Sequence, residues 1–190
     1  GFHRFAGGLT PIGHSGRAFA FDNETPRHRV FLAPFQLADR LVSNAEWREF
    51  IDYGGTRNLA EAAKAAGVKQ FVLVSSIGVT HADHPLNKMF DNIMSWKLKG
   101  EDALRASGVP YTVVRPGGLA NDPAGKTALV ASQGDTVSTG RIARADVAAI
   151  CVAALGKASA LGKTFEVIGA DGTPPSDWNA FFAGLRADAR

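Results

Sequence analysis

The sequence predicts an α/β fold: part, roughly half, of a doubly wound parallel sheet, preceded by a segment of short β-strands and one helix. Three observations carry this. Beyond Thr56, Ala-rich stretches with helical spacing alternate with short Val-rich runs over short connections, as in a sheet with helices on its faces. One run, Gln70-Phe-Val-Leu-Val-Ser75, is continuously apolar, as suits a parallel strand covered on both sides. Before about Ile51 the text is instead rich in Phe, His, Arg and Pro and has no such alternation.

In chain order, Pro26 excludes a helix around it. Val30–Leu32 and Phe35–Ala38 read as short strands parted by Ala33-Pro34. Ser43-Asn44 caps a short helix over Ala45–Ile51, with Trp47, Phe50 and Ile51 on one face, and Gly54-Gly55 ends it. Thr56–Ala66 repeats apolar residues at Leu59, Ala62, Ala63 and Ala66 and is closed by Gly67. A strand follows over Gln70–Ser75, then a helix over Met89–Ala106 closed by Gly108, then a strand over Tyr111–Arg115. Asp146–Leu155 is a third helix, Thr164–Ile168 a third strand, and Ser176 caps a last helix with Trp178, Phe181, Phe182 and Leu185 as its apolar stripe. The change of character sets two domains, residues 1–53 and 54–190.

Composition narrows the function. The 190 residues are 45% hydrophobic and 21% charged, enough for a packed core and unlike a disordered chain. A net charge of +3, with Lys and Arg scattered, leaves no footprint for nucleic acid. No run is apolar enough to span a bilayer, and the first residues lack the apolar core of a signal peptide. The single cysteine, Cys151, excludes an internal disulfide; it lies in an apolar run as a small buried hydrophobe, and a reducing, cytoplasmic setting is expected.

Two stretches resemble known families. Phe21-Asp-Asn-Glu24, Pro26-Arg-His-Arg-Val30 and Val42-Ser-Asn44 resemble the opening of the formylglycine-generating-enzyme-like domain, in the version found in ergothioneine-pathway sulfoxide synthases, over residues 1–53. That domain is several times longer, so the resemblance carries over no catalytic residue; His14 and His28 match family positions and reflect descent. The second stretch contains DYGGTRNLAEAAKAAGVKQFVLVSSIGVT, WKLKGEDALRASGVPYTVVRPGGL, GRIARADVAAICVAAL and GKTFEVIGADG. It resembles an atypical short-chain dehydrogenase/reductase of the NAD(P)-binding, sugar-epimerase-like kind, which implies a Rossmann-like sheet and NAD(P) as cofactor. The tract Ile51–Gly55 suits either family, so a fusion through it would explain the switch.

The second resemblance also shows what is lacking. Neither GxGxxG nor GxxGxxG occurs; Gly13-His-Ser-Gly16-Arg-Ala-Phe19 starts the longer pattern and fails at its third glycine. Such glycines let the backbone approach a pyrophosphate at a helix N-terminus, so weak cofactor affinity is expected. The family's Tyr-x-x-x-Lys pair is incomplete: Lys97 matches the lysine, but Ile93 holds the tyrosine's place. Hydride transfer to a carbonyl needs a proton donor, so reductase activity is put in doubt. What remains is the nicotinamide side. The resemblance implies Ser75, Ser76 and Lys97 as catalytic residues at the carboxyl edge of the sheet, and Arg115, Pro116, Gly117, Gly118 and Leu119 as a cofactor-binding turn.

Two other readings stay open. His81-Ala-Asp-His84 holds two imidazoles and a carboxylate (His81, Asp83, His84) that could bind Zn²⁺ or a similar ion and support a metal-assisted hydrolase, while Pro85 marks the same loop as an ordinary turn. A Ser-based hydrolase would need His81 as base to Ser75 or Ser76. The third is a non-enzymatic, recombinant chain. Finally, a half sheet leaves the strand near Val72 with an open edge. Either strands from the first 50 residues or a second copy would cover it; a homodimer, with or without exchanged elements, is expected, binding a small molecule.

Overall fold

A computed structural model describes residues 1–16 and 26–189. Phe19 and the block Phe21–Glu24 lie outside the described residues. The chain forms two compact units, Gly1–Ser43 and Asn44–Arg190.

The first unit consists of four strands, β1 (Phe2–Phe5), β2 (Gly8–Ile12), β3 (His28–Leu32) and β4 (Phe35–Ala38). They pair as two antiparallel ribbons, β1 with β4 and β2 with β3. Phe5 stands opposite Phe35, and the two rings stack at 4.8 Å. Strands β3 and β4 match the two strands expected from sequence. Phe2, Leu9, Phe31 and Leu37 remain exposed.

The second unit opens with α1 (Asn44–Arg48), which runs into a π-helical stretch, Glu49–Gly55, and on into α2 (Thr56–Ala65). The glycine pair therefore does not end a helix: Gly55 keeps right-handed helical angles, φ −62° and ψ −48°. Gly67, at φ +65°, does close α2. Then follow β5 (Phe71–Val74), α3 (Pro85–Met89), α4 (Ile93–Ser107), β6 (Tyr111–Pro116), β7 (Gly118–Ala120), β8 (Ala128–Ser132), β9 (Arg141–Ala143), α5 (Arg144–Ala154), β10 (Lys163–Ala170) and α6 (Trp178–Ala183). The helix expected over Met89–Ala106 starts only at Ile93, because Asp91 and Asn92 take left-handed angles, and the short α3, an unexpected element, precedes it. The last helix is capped by Asp177, not Ser176: its carboxylate accepts from the amides of Asn179 and Ala180 at 2.8 and 3.2 Å.

The main sheet has the order β5-β6-β10-β8. Strands β5, β6 and β10 are parallel and β8 is antiparallel to β10. The short β7 and β9 pair in parallel beside it. This is a mixed α/β fold of Rossmann-like kind. Among the described residues, β5 is an edge of this sheet.

Alternation along the strands separates two cores. On β6, Val113 packs with Ala60 of α2 and Leu104 of α4, while Val114 packs with Ile150 of α5, Phe165 and Val167 of β10 and Phe182 of α6. Both faces of β6 are therefore covered by helices, as its apolar run requires. Strand β5 is covered less well, and Val74 is exposed. Cys151 is half-buried on the α5 side, and burial pushes its thiol up, as expected of a packing residue. No helix among the described residues is long and apolar enough to cross a membrane.

Candidate functional site

The carboxyl ends of β5 and β6 remain hydrogen-bonded beyond the strands. The Ser75 amide donates to the Val114 carbonyl at 2.8 Å and the Ile77 amide to the Pro116 carbonyl at 3.2 Å. Ser75, Ser76, Pro116 and Gly117 are thus drawn to one edge of the sheet. There they line a cavity of about 390 Å³ with Lys97 and Leu119, and its remaining walls are apolar: Val74, Leu86, Phe90, Ile93 and Met94. The volume lies at the small end of the range of about 300–1,000 Å³ for small-molecule sites. Six of the eight residues expected from sequence at a catalytic or cofactor site meet in this one cavity.

The polar groups differ in their engagement. The Ser75 hydroxyl oxygen is buried and has no hydrogen-bond partner among the described residues, whereas the Ser76 hydroxyl donates to the Ile77 carbonyl at 3.1 Å. An orphaned buried hydroxyl on a cavity wall is a group that a ligand can satisfy. The Lys97 ammonium donates to Asp52 Oδ1 at 2.8 Å; both side chains are largely buried. Asp52 lies in the π-helical stretch, which reaches α4 because residue 100 is glycine: a Cβ there would overlap the Asp52 carbonyl oxygen. Ile93 stands in the cavity wall without a polar hydrogen.

The turn after β6 divides. Gly117 approaches the neighbouring chain so closely that a Cβ would lie 2.6 Å from the Gly140 carbonyl oxygen and 2.9 Å from Ile168 Cγ2. Its amide donates to the Val167 carbonyl at 3.0 Å and that of Gly118 to the Gly140 carbonyl at 2.8 Å. Both amides are therefore engaged in strand pairing and offer no free hydrogen to a ligand. Gly118 and Leu119 line a second cavity of about 450 Å³ that shares Ser76, Leu86, Met94, Gly117 and Leu119 with the first. Arg115, expected in the cofactor-binding turn, lines neither cavity. Its guanidinium is buried on the α4 face of β6, donating to Glu101 through Nε at 3.0 Å and Nη2 at 2.7 Å. Strand alternation sends residue 115 to the same face as Val113, into a buried ion pair and away from the cavity.

The metal reading fares differently. Among the described residues no group of three His, Cys, Asp or Glu side chains is placed to hold an ion. His81 and Asp83 are exposed, and His84 Nδ1 accepts from the Leu86 amide at 3.2 Å, capping α3. The imidazole at 84 is engaged in local helix capping, the turn role that Pro85 announces.

Two residues near the site escaped the sequence reading. Asp52 is 45 positions from Lys97, and no local spacing links them. Asp135 is buried and accepts from the Gly78 amide at 2.6 Å, the Thr80 amide at 2.8 Å and the Thr80 hydroxyl at 2.7 Å, fixing the chain that follows β5. Burial alone would raise its pKa, but the Thr80 and Gly78 bonds, with Arg115 nearby, outweigh this and hold it below the ordinary carboxylate value. In sequence Gly134-Asp135 reads only as a turn.

Comparison with known proteins fits this geometry. An uncharacterized chloroplastic protein of Arabidopsis thaliana is 44% identical over 141 residues, covering 70% of this chain and 43% of that protein. Sanguinarine reductase of Eschscholzia californica is 43% identical over 126 residues, covering 64% of this chain and 46% of that enzyme. The chain thus spans less than half the length of these relatives. A solved structure from Bacillus halodurans, classed by name among NAD-dependent epimerases/dehydratases, superposes with a TM-score of 0.65 at 28% identity, covering 77% of this chain and 66% of that one. Residues 30–158 match the NAD(P)H-binding family, a span that begins inside the N-terminal segment and takes in both cavities' residues from Ser75 to Arg144. The chain belongs to this NAD(P)H-binding family.

Proposed function

We propose that the second unit binds the nicotinamide end of NAD(P)H and serves a reductase-type reaction on a small molecule. The observation that carries the reading is the buried, unpartnered Ser75 hydroxyl on the wall of a cavity shared with Ser76 and Lys97, within a chain of the NAD(P)H-binding family. These groups fit the polar end of a nicotinamide riboside. The Ser75 and Ser76 hydroxyls would hydrogen-bond its carboxamide or ribose, Lys97 would hold a ribose hydroxyl, and Leu86, Phe90, Ile93 and Met94 would exclude water from the ring. Asp52 orients Lys97. The bound cofactor supplies a hydride. With both glycine amides at 117 and 118 paired in strands, the turn would shape the pocket through its backbone bulk.

No described residue forms a glycine-rich pyrophosphate cradle, so affinity is expected to be weak. Titration with NADPH and NADH, followed by nicotinamide fluorescence, tests the reading. Binding in the high micromolar to millimolar range, lost on Ser75→Val, supports it; no binding at several millimolar removes it.

The name of the reductase relative supports a reductase-type reaction here, and that step belongs to the proposal. A second copy as partner is part of the same reading, because β5 is an edge strand with Val74 exposed. Light scattering that finds only monomer at tens of micromolar counts against it. A cytoplasmic setting and a joined origin for residues 1–53 rest on sequence features alone.

A further inference from the structure

The cofactor reading leaves His84 unused. His84 lines the second cavity, which continues from the first through Ser76, Leu86, Met94, Gly117 and Leu119. Its Nδ1 accepts from the Leu86 amide at 3.2 Å. A ring nitrogen that accepts from an amide carries no hydrogen, so in the neutral ring the hydrogen sits on Nε2. The local backbone is held firmly. Asp135 grips the amides of Gly78 and Thr80; the His81 amide donates to the Gly78 carbonyl, the His84 amide to the His81 carbonyl, and the Asn87 amide to the His84 carbonyl, at 3.1, 3.0 and 2.8 Å. Gly78, at φ +79°, leaves room for the ring: a Cβ there would lie 2.6 Å from His84 Cδ2 and 2.9 Å from Nε2. The imidazole is thus fixed in position and tautomer at the cavity wall, beside a site where Ile93 offers no polar hydrogen.

We propose that His84 Nε2–H is the hydrogen-bond donor to the carbonyl oxygen of an apolar substrate, a quinone or aryl ketone, bound in the second cavity. The inference rests on the cofactor reading in that the adjoining cavity holds the nicotinamide. The apolar walls common to both cavities, Leu86, Met94 and Leu119, select the substrate's body, and the imidazole fixes its oxygen. In the reaction the substrate gains a hydride from the reduced nicotinamide, which is oxidised to NAD(P)⁺. The oxyanion so formed takes a proton from water. His84 stabilises the developing charge by its hydrogen bond and keeps its own proton, the role of a fixed dipole.

The test uses the full chain and duroquinone, whose blocked ring carbons resist thiols such as Cys151. Without cofactor, duroquinone should shift the ¹⁵N resonance of His84 Nε2. His84→Asn keeps an acceptor for the Leu86 amide but loses the reach of Nε2, whereas His84→Gln restores an N–H further out. With NADPH, His84→Asn should lower kcat/KM for duroquinone on the order of 100-fold at unchanged NADPH affinity and melting temperature, and His84→Gln should recover part of it. An unshifted His84 resonance at saturating duroquinone, or His84→Asn turnover within twofold of wild type, overturns the assignment. If the resonance shifts while NADPH fails to bind, the cofactor reading falls and the donor role stands. If NADPH binds and the resonance is still, the reverse holds.

Discussion

Replacing Glu101 by Gln tests whether the ion cluster behind the cavity is structural. Glu101 is fully buried on α4 and accepts three hydrogen bonds, from Arg115 Nε and Nη2 at 3.0 and 2.7 Å and from Arg105 Nη2 at 2.7 Å. A glutamine keeps the shape, but its NH₂ group faces guanidinium hydrogens and its charge is gone. Arg115 is 5% exposed, and of its other carboxylate neighbours Glu166 holds Oε1 3.8 Å from Nη1 without a hydrogen bond, while Asp135 acts by charge alone. Burial tends to lower the Arg115 pKa, and the Glu101 hydrogen bond and charge outweigh this and raise it. Without that carboxylate the guanidinium still stays charged, because its ordinary pKa lies far above neutral pH. Breaking a buried pair from one side costs about 3–5 kcal/mol. Arg105 adds less than about 1 kcal/mol, because it is partly exposed and keeps Asp102 at 2.9 Å and Thr164 at 3.0 Å. A total of about 3–6 kcal/mol is a large share of the 5–15 kcal/mol typical of a domain, and lowers Tm by roughly 6–24 °C for a chain of this size. Urea unfolding followed by far-UV circular dichroism measures it. Arg115→Met should cost a similar amount, and the double variant less than the sum, since the two side chains share one interaction. A Glu101→Gln midpoint within about 0.5 kcal/mol of wild type would refute the buried-pair account. An Arg115→Met variant of unchanged stability that loses NADPH would return Arg115 to the cofactor.

Other outcomes follow from the same structure. Asp135 has its pKa held down in the fold, so its contribution is full above the ordinary carboxylate value near pH 4 and is lost as pH falls through the lower folded value. Asp135→Asn should be less stable at neutral pH and lack that part of the acid slope, read from unfolding curves between about pH 2 and 6. Tyr111 is raised to about 12, by burial and by its hydrogen bond to Asp188 Oδ2 at 2.8 Å. Its stabilisation is therefore full below about pH 10 and is lost as pH climbs to the folded value. Tyrosinate absorbance should show a late-ionising tyrosine that disappears in Tyr111→Phe, and a tyrosine titrating near 10 at that position would contradict the bond. Gly100→Ala should destabilise by about 1–3 kcal/mol despite alanine's better helix propensity, because its Cβ meets the Asp52 carbonyl; a raised Tm would show that the π-helical stretch yields.

Local chemistry made several elements legible. Gly67 and Gly108 closed helices where the left-handed angle was needed, and both do so, at φ +65° and +75°. The apolar run Gln70–Ser75, expected to be covered on both faces, does form a parallel strand, but it lies at an edge of the sheet among the described residues with Val74 exposed; it is β6 that is covered on both faces. Elsewhere local signals misled. Gly54-Gly55 carries the breaker's letters, yet packing against α4 holds it helical, and the Asp177 side chain won the last cap over Ser176 by one residue. The short strands β1, β2, β7, β8 and β9 escaped notice, because three to five residues carry too few positions for a period unless an apolar run marks them, as it does in β5.

The sequence alone determined the α/β class, since alternation and helix closure depend on neighbours a few positions away. The family resemblance pointed to Ser75, Ser76, Lys97, Pro116, Gly117 and Leu119, which line one cavity at the carboxyl edge of the sheet. Only the tertiary structure decided which face residue 115 takes in practice, that Asp52 meets Lys97, that Ser75 is left without a partner, and that His84 caps a helix instead of gathering a metal. The Asp52–Lys97 pair shows the reason most plainly: groups 45 positions apart are brought within about 3 Å, the reach of a hydrogen bond, and no local pattern encodes such a distance.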